Sequence, residues 1–196
     1  MINNYSFQGA YFINQGSLRT LEKPLSISIS SILKSIEITR LDIQCSKMSF
    51  NIFIKLLNLL PNLLAIRLLD SLFDKEIDKF NENTDDCKEF LKNNKITKVT
   101  LKNPNEKQID LVIDLFHQIQ SFALQNLPYI DLDLIVRYTL LKIKQNNICH
   151  PIIFCIFDIK TEYITIEKLQ QIIDSDHLLE NYTINRRLNR FYIQWK

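Results

Sequence analysis

A chain of 196 residues can hold one good core or one short repeat array. Its 46% hydrophobic and 23% charged residues exclude a disordered chain. With 24 Lys and Arg against 22 Asp and Glu, there is no general electrostatic footprint for nucleic acid or an anionic membrane.

The only two glycines, Gly9 and Gly16, lie near the N-terminus. Loops that cradle phosphate need glycine for close backbone approach, so nucleotide-binding loops are excluded over the rest of the chain and no cofactor is expected. The 18 asparagines are the expected substitutes wherever the backbone turns left-handed. Cys45, Cys87, Cys149 and Cys155 show no C-x-x-C spacing, and the first residues lack the pattern of a signal peptide. The apolar stretch from Ile52 to Phe73 is broken by Lys55, Pro61, Arg67 and Asp70, so it is not a membrane span. The expectation is a cytoplasmic or nuclear chain with reduced thiols.

Residues 1–31 form a separate N-terminal cap or leader, with an aromatic cluster (Tyr5, Phe7, Tyr11, Phe12) and strand-like alternation at residues 25–29. Beyond it, from residue 32 to 196, the spacing L-x-x-L-x-L recurs six times. It reads Leu33-Ile36-Ile38, Leu63-Ile66-Leu68, Ile96-Val99-Leu101, Ile119-Phe122-Leu124, Ile152-Cys155-Phe157 and Leu188-Phe191-Ile193. The stretches between are amphipathic at helical spacing: Phe50-Phe53-Ile54-Leu57, then Cys87-Phe90-Leu91, then Ile109-Val112-Ile113-Phe116. Leu134-Tyr138-Leu141 and Ile166-Leu169-Ile173 continue the series, and Ser49, Thr84, Asn105, Asp131 and Thr165 are the candidate N-caps. Each unit is a strand followed by a helix, too small to bury its own apolar face, so units stack. The predicted fold is α/β, a solenoid of about six irregular strand–helix repeats with a curved parallel sheet covered by helices on one face. A doubly wound sheet is the alternative. The polar positions Ser35-Glu37-Thr39 and Lys98-Thr100-Lys102 favour one open face.

The run Leu56 to Leu68 (LLNLLPNLLAIRL) resembles the helix-to-strand junction of ribonuclease-inhibitor-like leucine-rich repeats, as found in F-box/leucine-rich-repeat proteins. Asn181 to Lys196 (NYTINRRLNRFYIQWK) resembles the end of such regions in divergent F-box-like families. The resemblance covers about residues 32–196 and implies a protein-binding solenoid, as in the substrate-recognition part of an F-box-like adaptor. The chain departs from it in two respects. The asparagine three positions after each L-x-L is replaced by Leu41, Ser71, Pro104, Leu127 and Lys160, and no F-box precedes the repeats.

Candidate chemistry is sparse. His150 and Cys155 are the residue types of a thiol hydrolase, but Cys155 occupies a core position in the repeat frame. Asp174, Asp176 and His177 carry metal-ligating atoms, but sit where a helix ends. Asp131 and Asp133 are paired carboxylates, of which the first reads as an N-cap. Neither catalytic nor metal-binding residues are assigned, and the chain is expected not to be an enzyme. In the frame above, the side chains that project from the open face are Ser35, Glu37 and Thr39; Ala65, Arg67 and Leu69; Lys98, Thr100 and Lys102; Ser121, Ala123 and Gln125; Phe154, Ile156 and Asp158; Arg190, Tyr192 and Gln194. Arg67, Lys98, Phe154, Arg190 and Tyr192 are the expected anchors for a protein or peptide. The alternative is nucleic acid held by the basic and aromatic run Arg186 to Lys196, whose charges also suit an exposed sheet edge.

Overall fold

The computed structural model describes residues 38–44, 48–68, 84–127, 132–146, 148, 151–157 and 165–195, together with the backbone of 10–13 and 69. The chain is α/β and divides into two compact units, residues 1–96 and 97–196. No helix among the described residues is long and apolar enough to cross a membrane.

In the first unit, strands β1 (Ala10–Ile13), β2 (Arg40–Gln44) and β3 (Ala65–Leu69) are parallel and adjacent in chain order. Helix α1 (Phe50–Asn58) joins β2 to β3, and α2 (Asp85–Asn93) follows. Leu41 and Ile43 pair with Ile66 and Leu68, and all four are buried, as are Phe53, Ile54 and Leu57 of α1. Ser49 caps α1 by accepting a hydrogen bond from the Ile52 amide. The two helices are tied at their ends by Asn58, which donates to the Asp86 carbonyl at 2.9 Å.

The first repeat therefore runs in the frame Ile38-Leu41-Ile43, five residues beyond the expected one. Leu33, Ser35, Ile36 and Glu37 lie outside the described residues, as does the alternating segment 25–29. The segment Ile38-Thr39-Arg40-Leu41 reappears as Ile96-Thr97-Lys98-Val99. The backbone does the same at both places. The Thr39 carbonyl accepts from the amides of Leu64 and Ala65, and the Thr97 carbonyl accepts from those of Gln120 and Ser121.

The second unit holds β4 (Lys98–Lys102), α3 (Glu106–Leu115), β5 (Ser121–Gln125), α4 (Leu132–Gln145) and β6 (Ile152–Phe157). It ends with α5 (Ile166–Ser175), β7 (Tyr182–Arg187) and β8 (Arg190–Trp195). Strands β4, β5 and β6 are parallel neighbours. Asn105 and Gln108 form a reciprocal capping box on α3, and Thr165 caps α5. Asn103 and Asn126, each one residue past a strand, take φ of 49° and 57° and donate their amides to the last residue of the following strand. Asparagine tolerates that left-handed backbone better than most side chains. Asp70 and Asp158 stand at the same spacing in the sequence but lie outside the described residues.

Three expectations are corrected here. The last unit is not a parallel repeat: β7 and β8 form an antiparallel hairpin, with β8 seated between β6 and β7. On α4 the buried stripe is Leu132, Ile135, Val136, Thr139, Leu140 and Ile143, while Leu134 and Leu141 are exposed. Thr139 joins the apolar stripe because its hydroxyl donates to the Ile135 carbonyl, which satisfies it internally. Strand β6 is one residue out of the expected register. Phe154 pairs with Phe122, stacks on its ring and is 0% exposed, and Ile156 is buried beside Leu124. Six consecutive apolar residues, Ile152 to Phe157, carry no alternation from which a register could be read.

This register has a direct test in urea unfolding. Phe154→Ala is expected to cost about 3–5 kcal/mol, as for a large ring removed from a packed core. Ile153→Ala, at a position 39% exposed, is expected to cost less than about 1 kcal/mol.

Candidate interaction surface

In the second unit the helix-covered side of the sheet takes Val99, Leu101, Phe122, Leu124, Ile152, Phe154, Ile156, Phe191 and Ile193, all buried. The intervening residues face away from the helices, because side chains alternate along a strand and registered neighbours share a face. The register arranges them in three rows. One is Lys98, Ser121, Ile153, Gln194, Thr183. The next is Thr100, Ala123, Cys155, Tyr192, Asn185. The third is Lys102, Gln125, Phe157, Arg190, Arg187.

Strands β4 to β8 contain no aspartate or glutamate, so these fifteen positions carry four cations and no acid. The described acids of this unit lie on its helices and turns, and most are engaged there. Tyr138 donates to Asp110 at 2.6 Å, Lys142 pairs with Asp114 at 3.2 Å, and Lys168 pairs with Asp133 at 3.1 Å. Arg137 pairs with Asp176, and Tyr182 donates to Asp174 at 2.6 Å. Burial, and then Asp110, raise the Tyr138 hydroxyl above its ordinary range.

Of the five expected anchors, Lys98, Arg190 and Tyr192 stand on this face. Phe154 does not, because its register turns it under the helices; Ile153 and Phe157 are the residues of β6 that the face presents. Arg67 belongs to the first unit, where its guanidinium lies 3.9 Å from Asp42, a carboxylate only 2% exposed that also accepts from Arg40 at 3.2 Å. Arg187 is not among the expected anchors because the last repeat is expected to start at Leu188, whereas it lies on β7 opposite Arg190. The basic and aromatic run at the C-terminus is divided between two faces. Phe191 is buried with Arg186 over its ring, and Trp195 shares that side, whereas Arg187, Arg190 and Tyr192 face the other way. The interleaving that pointed to nucleic acid is thus a property of the sequence and not of one surface.

Of the hydrolase candidates only Cys155 is described, and among the described residues the metal candidates form no cluster. Cys155 is 3% exposed, and burial pushes its thiol up to about 11 against the opposite pull of Arg190 and a hydrogen bond with Tyr192. That is the reverse of nucleophile activation. His150 and Asp131 lie outside the described residues. His177 takes φ of 48° past the end of α5, and its carbonyl accepts from Lys144. Among the described residues no group of three His, Cys, Asp or Glu could hold a metal ion. The first unit has a cavity of about 420 Å³ beside the ends of α1 and α2, with Leu57, Leu60, Leu63, Phe90 and Ile96 on its floor and Asn58, Asn93 and Asn94 at its rim. Glu89 and Lys95 are the titratable residues of its lining. Compared with protein-family models, curated proteins and solved structures, the chain matches none.

The Cys155 environment sets a pH dependence. Its folded-state value is raised, so above the ordinary thiol range the unfolded chain releases a proton that the folded chain retains, and stability falls as pH rises toward about 11. Tyr182, pushed up to about 12 by burial and by Asp174, adds to the same trend at higher pH. Urea midpoints measured from pH 8 upward should decline, and less steeply in Cys155→Ser.

Proposed function

We propose that this chain is a leucine-rich-repeat-like solenoid whose open sheet face holds a protein or peptide partner, as the substrate-recognition part of an F-box-like adaptor does, and that its role is binding and not catalysis. The single observation that carries this reading is the three-row face of the second unit. It combines four cations, two aromatic rings and an exposed isoleucine, with no acid among them. Arginine and tyrosine are favoured anchors at protein interfaces, and an apolar centre rimmed by polar residues is their usual setting.

The repeat reading draws on the backbone. Parallel strands follow one another in sequence, a threonine carbonyl accepts two amides before both β2 and β4, and a left-handed asparagine follows both β4 and β5. An array built in this way buries its core only by stacking, and the strand face left without helices becomes the working surface. The chemistry of that surface favours a folded or extended polypeptide over a nucleic acid. Tyr192 is the one aromatic on it whose ring is not already stacked under a guanidinium, whereas single strands bind by successive stacking platforms.

The test is capture from native lysate by wild type and by the combined change Lys98→Glu, Ile153→Asp, Tyr192→Ala. Gln170→Lys, on the exposed side of α5, serves as the control. All three should give the same circular dichroism spectrum. A protein held by wild type and by the control, and lost from the face variant, is the expected result. Equal capture by all three would remove the open face from the interaction.

A further inference from the structure

The tip of the β7–β8 hairpin brings three uncommon features together. Arg187 stands directly opposite Arg190 in the antiparallel register, and like charges in that arrangement repel. Leu188, the first of the two turn residues, holds φ at 56°, a backbone that glycine or asparagine adopts far more readily. Its side chain is 91% exposed, more than any other large hydrophobic among the described residues. Unfavourable features kept together at one exposed place are what a binding element looks like before its partner arrives.

Arg190 is also held in place. Its guanidinium lies 4.3 Å over the centroid of the Phe157 ring. A planar guanidinium stacked by its face keeps its edge N–H groups available, and those edges match a carboxylate in two-point fashion. From Arg187 the third row continues through Arg190, Phe157 and Gln125 to Lys102. It crosses four strand spacings, about 19 Å, which about six residues of extended chain would span. Cations mark both ends of the row, its middle is uncharged, and none of the fifteen positions of the three rows holds an acid that would repel an anionic ligand.

We infer that the partner reaches this face through an extended acidic segment whose carboxylates pair with Arg190 and Arg187 at one end of the third row, while Leu188 seats in an apolar notch of the partner. This deepens the reading of the open face as the working surface and rests on it. A bilayer would meet the tip alone and gain one leucine. A single-stranded nucleic acid would find the Phe157 ring already covered.

The probe is a short fluorescein-labelled peptide of alternating glutamate and leucine, followed by anisotropy, with its lysine–leucine counterpart as control. Wild type is expected to bind the acidic peptide only, more weakly as salt is added. Arg187→Gln with Arg190→Gln should lose about tenfold or more in affinity while keeping the wild-type melting temperature or exceeding it. Leu188→Gly should raise the melting temperature and still weaken capture of the natural partner, a pair of effects that a merely structural turn residue would not give. Failure of wild type to bind the acidic peptide, equal binding by the double variant, or binding of oligothymidylate or phosphatidylserine vesicles in its place would overturn the inference. Partner capture that survives Arg187→Gln with Arg190→Gln, yet is lost in the face variant described above, would overturn the acidic segment alone and leave the open face as the working surface.

Discussion

The structure depends on one constraint: along the short parallel strands, one set of alternate residues is buried against the helices. Side chains alternate between the two faces of a strand, so a shift of one residue exchanges the two sets. In the second unit Val99 and Leu101 register with Phe122 and Leu124, and these with Phe154 and Ile156. The connecting helices add their own buried stripes, as Ile109, Val112 and Ile113 do on α3. Once those residues are inside, Lys98, Thr100, Lys102 and the residues that follow them across the sheet have nowhere to go but the open face. The candidate surface is a consequence of core packing.

Charge follows the same division. On the helix side of the second unit, acids are placed where cations or hydroxyls from the neighbouring helix reach them, as in the contacts of Tyr138 and Lys142 with Asp110 and Asp114. Such partly exposed pairs contribute little stability individually, but they leave the sheet strands free of acid. The first unit solves a related problem differently. Asp42 is buried between two strands, and removing either Arg40 or Arg67 would leave that carboxylate less well compensated. Arg67 is therefore engaged with its own chain, whereas Arg190 and Arg187 are arranged against a ring and against each other. A nearly neutral chain can in this way present a strongly cationic face, because overall net charge is blind to how the charges are sorted.

Much of this was legible in the residues, for identifiable reasons. Where polar and apolar residues alternate, as in Lys98 to Lys102, the strand and its faces follow from a period of two. The helices α1 and α3 and their caps could be read because their apolar spacing is unambiguous and Ser49 and Asn105 are strong capping residues. Where apolar residues are continuous, as from Ile152 to Phe157, the strand is visible and its register is not. The same ambiguity misplaced the α4 stripe, where Leu134, Tyr138 and Leu141 form a second helical series beside the buried one. Asn103 and Asn126 stand two residues after the last apolar residue of their motifs, one position earlier than the asparagine of the family pattern, so that pattern does not point to them. The hairpin was hidden for a different reason. Its turn is Leu188-Asn189 without glycine, and a single asparagine among 18 is a weak signal for a reversal.

That hairpin also separates two explanations for the basic C-terminus. An edge strand presents unpaired backbone groups, and charged side chains along it discourage pairing with other chains. Among the described residues the outermost strand of the second unit is β7, so edge protection accounts for Arg186 and Arg187. It does not account for Arg190, which lies on β8 with a strand on each side and no free edge to guard. Nor does it account for Tyr192, which sits in the middle row over Cys155. A cation on an inner strand, stacked on a neighbour's ring and opposed by a like charge, is explained by what meets the face of the sheet and not by what meets its edge.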